Sequence, residues 1–214
     1  LMTESHLQGI IEKAAGTLQW ELHHEVVKGA KTCRITSDPH GRRHIIHLSD
    51  HPDATRPMDY LHELAHASLA ERHYLLATAY FTRGTPTKYC DMIADAVLVA
   101  ADWLADYLLF GWCPNDLKNE ISIHIDMATE ITDRKVQYIF YGGLIYAEAV
   151  LYLHMRRHDV PRRYRSVANT LLSHSPACPT INGLCNLIND LAGLTCSKRI
   201  KLVDDGGMEV WQVI

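Results

Sequence analysis

Residues 58 to 73 read MDYLHELAHASLAERH, and the rest of the chain can be interpreted outward from this stretch. Its apolar residues recur at helical spacing and Pro57 is a typical helix start signal, so we predict a helix from about residue 58 to about residue 81. His62 and His66 are four residues apart and therefore lie on one face of that helix, one turn from each other. Two imidazoles in this arrangement can share one tetrahedral ion.

Glu63 completes an HExxH pattern with the two histidines. It is turned by about 100° from His62 around the helix, so it can reach the open coordination position of the ion without being a ligand. A water at that position has its pKa lowered toward neutrality, and a carboxylate can take its proton as the water attacks a peptide carbonyl. Chance alone gives roughly 0.04 such patterns in a chain with this content of His and Glu, so a metal site is favoured over coincidence. We predict a Zn²⁺ site held by His62 and His66, with Glu63 as the catalytic general base.

The predicted site needs a third ligand, and the helix that carries the histidines does not supply one. His73 shares a face with His66 but lies about 10 Å further along the axis, and Glu71 points away. A metzincin has a third histidine six residues after the second one, and Arg72 stands there. We therefore look for the third ligand on the next helix, which we predict from about residue 89 to residue 110.

That second helix is mostly apolar and carries one acidic stripe, formed by Asp91, Asp95, Asp102 and Asp106. Carboxylates on a buried helix need cations or hydrogen-bond donors to offset their desolvation. Only one pair can serve one ion, because Asp91 and Asp102 are about 16 Å apart along the axis. We predict Asp91 as the third ligand and Asp95 as the acceptor for the far nitrogen of a liganding histidine, or as an alternative ligand. Asp102 is the remaining alternative.

The order of these segments resembles the ImmA/IrrE family of zinc peptidases, which are gluzincin-like enzymes that cleave repressor proteins. The resemblance covers about residues 43 to 100 and rests on the strand HIIHLSD, a loop, the helix with HELAH, and the motif from Asp91 to Asp95. It implies a zincin-like fold with a small sheet, a zinc cofactor and a protein or peptide substrate such as a regulator. The family usually has glutamate where this sequence has Asp91, so a shorter side chain requires a closer helix.

The whole chain predicts an α+β fold that is mainly helical. TCRITSD and HIIHLSD flank a Pro/Gly turn and predict a hairpin, whereas residues 4 to 28 predict a helix and then a polar stretch. Residues 117 to 157 predict two helices and residues 165 to 194 one or two more. The last segment predicts a hairpin that turns at Asp205 and Gly206.

Gly, Pro and Asn cluster at residues 111 to 116, which predicts a boundary between two regions. The first region, residues 2 to 111, is predicted as a zincin-like metallopeptidase domain. The second, residues 117 to 214, is predicted as a helical C-terminal region with a terminal β-hairpin, which can also pack with the first as one domain.

Composition restricts the partners. The formal net charge of −4 does not favour nucleic acid or an anionic membrane. The most apolar run, residues 138 to 153, is shorter than the roughly 20 residues of a membrane span and predicts a buried helix. Six scattered cysteines without a CxxC pair, and no secretory signal, predict reduced thiols in the cytoplasm. The basic stretch MRRHDVPRRYR at 155 to 165 predicts a solvated face, with docking of an acidic partner or nucleic acid as the alternative.

These features predict a cytoplasmic zinc-dependent metallopeptidase that acts on a protein substrate. We expect an edge strand within residues 43 to 49 to pair with the extended substrate, while the C-terminal half provides selectivity. The alternative is a regulatory binding protein without catalysis that keeps a structural or relic zinc site.

Overall fold

The structure is a computed structural model that describes residues 4–51, 55–73, 80–131, 135–204 and 209–214. Its fold is α+β with 58% helix, so the predicted class and the predominance of helices are confirmed. The chain forms two compact units, and neither is one continuous segment. The first unit contains Leu1–Ala77 and Leu104–Leu117, and the second contains Thr78–Trp103 and Lys118–Ile214.

The first unit contains helices on a three-stranded sheet. Helix α1 (Glu4–Ala15) precedes strands β1 (Glu21–Val27), β2 (Arg34–Asp38) and β3 (Arg43–Ser49), and helix α2 (Pro57–His73) follows them. The strand order is β1-β3-β2, in which β1 runs parallel to β3 and β2 runs antiparallel to it. The predicted hairpin is therefore confirmed as β2 and β3, with Ser37 opposite His44 in the register.

Two expectations about the strands are wrong. Strand β1 lies within the region for which we predicted a helix and a polar stretch, because its ELHHEVV sequence lies mostly exposed at a sheet edge and lacks a buried alternating pattern. Strand β3 is the central strand, paired on both sides, so residues 43 to 49 cannot accept an added substrate strand. The edges of this sheet are β1 and β2.

Helix α2 packs on α1 and on β2. From Leu64 to Ala70 every residue is buried, because this part of the helix is covered on all sides. The core of the unit also contains apolar side chains of the sheet and of the last turns of the next helix, including Ile35, Ile46, Leu61, Leu104, Leu109 and Cys113.

Helix α3 (Thr87–Trp112) passes from the second unit into the first between Trp103 and Leu104. The second unit continues with α4 (Pro114–Glu130, counted here from Lys118), α5 (Val136–Tyr152), a 3₁₀ turn (Arg157–Asp159), α6 (Arg165–Ser173) and α7 (Ile181–Ala192). It ends with the antiparallel strands β4 (Ile200–Asp204) and β5 (Glu209–Val213). The helices and the terminal strand pair that we predicted here are confirmed, while the predicted turn at Asp205 and Gly206 lies outside the described residues.

The segment before α3 differs from the prediction. Helix α2 ends at His73, and the predicted continuation through residues 74 to 79 lies outside the described residues. Tyr80 and Thr82 are extended rather than helical: the Trp211 N–H donates to the Tyr80 carbonyl at 2.7 Å, and the Thr82 N–H donates to the Trp211 carbonyl at 2.9 Å. Pairing with β5, which is distant in sequence, replaces the helical hydrogen bonds here.

Helices α5 and α6 pack closely because α5 has glycines at the contact. A Cβ at Gly142 would lie 2.2 Å from Cε1 of Tyr164, and one at Gly143 would lie 2.4 Å from Val167. Helix α5 contains the apolar run that we predicted to be buried, and its Glu148 is only 4% exposed. Among the described residues, no helix has the length and apolar character needed to cross a membrane.

Candidate metal centre

The two histidines of the HExxH pattern point toward a common position. Nε2 of His62 and Nε2 of His66 are 3.0 Å apart, and the rings meet nearly edge to face with centroids 4.6 Å apart. Two nitrogens bound to one zinc ion at about 2.05 Å with a tetrahedral angle are about 3.3 Å apart. The observed separation is therefore close to what a shared ion requires, and it is also the length of a hydrogen bond between the two rings.

Asp106 of α3 determines which nitrogen of His62 is available. Its Oδ1 lies 2.9 Å from Nδ1 of His62, and its side chain is 11% exposed. Because an ionised carboxylate can only accept, Nδ1 is the donor and carries the proton. The lone pair of His62 is therefore on Nε2, directed toward His66. A carboxylate behind a ligating imidazole is the usual arrangement around protein-bound zinc.

Asp102 supplies the third candidate ligand. One carboxylate oxygen of Asp102 and one ring nitrogen from each of His62 and His66 all lie within 4.8 Å of one another. Asp102 is one helical turn before Asp106, so both carboxylates lie on the same face of α3. Two nitrogens and one oxygen form a ligand set that zinc accepts, with one coordination position left for water or substrate.

The register between α2 and the end of α3 explains why this pair of aspartates lies near the histidines. Sγ of Cys113 lies 3.9 Å from Sδ of Met58, while Asp106 reaches His62. Residue numbers increase along α2 as they decrease along α3, so the two helices run antiparallel here. One turn further along, Asp102 therefore comes next to the histidine pair.

The structure does not bring Asp91 and Asp95 into this group. Asp91 is exposed near the start of α3, and about 16 Å of helix separates it from Asp102. Asp95 is half-buried, and its burial, followed by the nearby charge of Asp91, raises its pKa. The ligand-plus-four spacing that we predicted for Asp91 and Asp95 is present, but it is Asp102 and Asp106 that lie near the histidines.

Glu63 is half-buried on the next position of α2, and Cys33 indicates where its carboxylate lies. Burial raises the pKa of the Cys33 thiol to about 12, and the charge of Glu63 is the next largest cause, followed by that of Asp59. Cys33 immediately precedes β2. The charge of Glu63 therefore acts on the thiol at the beginning of β2, which is an edge strand of the sheet.

Glu71 has a different role. Its carboxylate accepts hydrogen bonds from the backbone N–H of Gln19 at 2.8 Å and of Trp20 at 2.7 Å, and it pairs with the buried His44 at 3.1 Å. This agrees with the expectation that Glu71 points away from the histidine pair. His44 also contacts Ser37 at 2.8 Å and stacks on Trp20, so the end of α2 is tied to the sheet.

The structure places Asp106, rather than the predicted Asp95, behind a histidine, and it adds Tyr141, which the sequence did not single out. The side chain of this tyrosine on α5 is 38% exposed, but desolvation of its hydroxyl raises its pKa, and the charges of Asp102 and Asp95 add to the effect. The spacing of the stripe was the only available signal for Asp106, and it was equally compatible with Asp95. No sequence signal distinguished Tyr141 from other tyrosines.

Comparisons with protein families, curated proteins and solved structures find no match for this chain. The resemblance to the ImmA/IrrE family therefore stays a prediction from the sequence.

Proposed function

We propose that this protein is a zinc-dependent metallopeptidase. His62, His66 and Asp102 are the ligands in this proposal, and Asp102 takes the place that we first assigned to Asp91. The observation that carries the proposal is the convergence of three ligand atoms within 4.8 Å, with the Asp106 carboxylate behind one imidazole.

Solvent access supports a catalytic rather than a structural ion. The side chain of His62 is 25% exposed and Asp102 is half-buried, although His66 is buried. Three protein ligands leave one position open, whereas structural zinc sites usually have four protein ligands. A bound zinc ion supplies Lewis acidity, which acidifies a water and polarises a carbonyl.

Glu63 is the proton carrier in this proposal. It neighbours His62 in sequence but is turned away from the ligand face, so its carboxylate can accept a proton from the attacking water and pass it to the leaving amine. Asp106 keeps the proton of His62 on Nδ1 and so keeps Nε2 available. The chain thus contains a ligand set, a base and a group that orients a ligand.

Strand β2 is the better candidate for binding an extended substrate. It is an edge strand, and it begins next to Cys33, whose thiol lies near Glu63 and His62. A peptide that adds to an edge strand gains backbone hydrogen bonds along its length. On β2, such a peptide would pass close to Glu63, so this edge replaces β3 in the proposal.

The proposal also includes the fold family, the substrate class and the location of the protein. They are a zincin-like first unit, membership of the ImmA/IrrE family, a regulator or repressor as the protein substrate, and a location in the cytoplasm. The six cysteines are free thiols, which fits a reducing compartment.

Zinc affinity tests the ligands. Competition with a chromophoric chelator should show that His62→Ala and Asp102→Ala each lower zinc affinity at least tenfold, in line with the removal of a ligand. Asp91→Ala is the matched control, because it removes the same charge from the same helix outside the group, and we expect no change. Weaker affinity in Asp91→Ala together with normal affinity in Asp102→Ala would restore Asp91 as the ligand.

Proteolysis tests the base. With fluorescein-labelled casein as the probe, Glu63→Gln should retain zinc and lose about 10²-fold or more of the cleavage rate. Zinc-loaded protein that cleaves neither casein nor its own chain would instead favour the regulatory binding protein. In that case the ion is structural, and chelation should unfold the protein, whereas a catalytic ion can be removed from a folded chain.

A further inference from the structure

The stretch that leads from α5 into α6, residues 154 to 165, is arginine-rich and is called the loop below; two of its arginines hold it in place. Arg163 donates to the carbonyls of Ala128 and Ile131 at the C-terminal end of α4, the first at 2.6 Å. Arg165 donates to the carbonyls of His158 and Val160 at 3.2 and 3.0 Å. These bonds connect the loop to α4 and to itself.

Buried side chains also hold this loop against the core of the unit. Val160 is 2% exposed and Tyr164 is 1% exposed, and the Tyr164 hydroxyl donates to the Ala128 carbonyl at 3.0 Å. The Tyr164 ring also stacks on Tyr146 with centroids 5.2 Å apart. The loop is therefore anchored at several points, so its other arginines have a defined position on the surface.

All five arginines of the loop are exposed, and three of them, Arg156, Arg157 and Arg162, take no part in holding it in place. Within the part of the chain that the structure describes, the side chains of Arg156, Arg157 and Arg162 have no ion pair or hydrogen bond. The single acid of the loop, Asp159, pairs with His158 at 3.3 Å. Residues 156 to 165 contain five arginines and one aspartate, for a net charge of +4. The other residues contain 16 basic and 24 acidic side chains, for a net charge of −8.

We propose that this loop binds the phosphate backbone of nucleic acid through Arg156, Arg157 and Arg162. Guanidinium groups match phosphate oxygens with two parallel hydrogen bonds, and an unneutralised positive cluster on an acidic chain attracts a polyanion. This proposal is independent of the metallopeptidase proposal.

The composition of the loop surface favours nucleic acid over an acidic protein. The exposed side chains from residue 154 to residue 165 are all histidine, arginine or aspartate, while Val160 and Tyr164 are buried and Met155 and Pro161 are half-buried. Protein interfaces depend on apolar anchors at their centre, whereas surfaces that contact nucleic acid are polar and strongly positive. Contacts to phosphate alone carry no sequence information, so binding should not depend on base sequence.

Fluorescence anisotropy with two labelled probes tests the proposal: a 20-base-pair DNA duplex of mixed sequence and a 20-nucleotide RNA single strand. The full chain should bind at least one probe at 50 mM salt, and affinity should fall as salt rises. The triple variant R156A/R157A/R162A should weaken binding at least tenfold. It should also reduce the salt slope on duplex DNA by up to about 2.7, which is about 0.9 for each phosphate that is no longer neutralised. The two probes distinguish DNA from RNA as the source of the phosphates.

The matched control is K28A/K31A/R83A, which removes the same charge from exposed positions outside the loop. It should bind as the unaltered protein does, and both triple variants should keep the far-ultraviolet circular dichroism of the folded chain. Equal weakening in the two variants, or absence of binding to both probes at 50 mM salt, would overturn the proposal. Equal affinity for poly-glutamate and for duplex DNA would do so as well, because it would identify an acidic protein as the partner. The variant His62→Ala should bind nucleic acid normally even when it no longer binds zinc.

Discussion

In the proposed zinc site Asp106 is not a ligand, yet its replacement should weaken zinc binding. The 2.9 Å contact between Asp106 and Nδ1 of His62 is shielded from water, since the aspartate side chain is only 11% exposed. Removal of such a partner typically costs 10- to 100-fold in metal affinity, or about 1.4 to 2.7 kcal/mol. Asp106→Asn keeps an acceptor and removes the charge, so we expect about tenfold, whereas Asp106→Ala removes both and should approach 100-fold.

The assay is a zinc competition titration at pH 7.5, combined with circular dichroism of the metal-free variants to show that they are folded. Asp95→Asn is the matched control, because Asp95 is on the same helix and lies outside the ligand group; its affinity should stay within about twofold. An unchanged affinity in Asp106→Ala would refute the role of this hydrogen bond. Equal weakening in Asp95→Asn and Asp106→Asn would show that general charge on the helix, and not the contact with His62, supports the metal.

Three further predictions concern stability and are measured by urea unfolding. Gly142→Ala should lower the free energy of unfolding by about 1 to 3 kcal/mol, because its Cβ would lie 2.2 Å from the buried ring of Tyr164. Gly9→Ala, whose Cβ would have no atom within 4 Å, should raise it by up to about 1 kcal/mol. A change of the same sign at both sites would contradict the packing argument. Burial lowers the pKa of His44 below its ordinary 6.5, and Glu71 opposes this shift. The contribution of neutral His44 to stability is therefore present above pH 6.5 and is lost as the pH falls through the pKa of the folded state. A His44→Gln variant whose stability falls equally steeply with acidification would argue against this. Thr180 caps α7 by accepting the N–H of residue 183 at 3.0 Å, so Thr180→Ala should cost about 1 kcal/mol, and a neutral result would mean that the cap contributes nothing.

Much of the helical architecture follows from local sequence. Helices α4 and α5 and the strands β2 and β3 lie where periodicity and turn residues predicted them, because these signals act between near neighbours. Strand β1 was missed for the opposite reason. Its seven residues are mostly exposed and polar, and it is a strand only because it pairs in parallel with β3, across an intervening strand and turn. Residues 80 to 82 are extended through pairing with Trp211, which no local pattern indicates.

The candidate site also has one part that follows from local sequence and one part that depends on tertiary contacts. The sequence by itself determined that His62 and His66 share one face of a helix and that Glu63 does not, because the geometry of an α-helix allows no other arrangement. It also predicted that two acids four residues apart on the next helix would lie beside the histidines. Only the tertiary structure decided which two aspartates lie there, since Asp91 with Asp95 and Asp102 with Asp106 have the same spacing on the same helix. The choice depends on how far α3 is shifted along α2, and that shift is set by side-chain contacts such as Met58 with Cys113, which connect residues far apart in the chain.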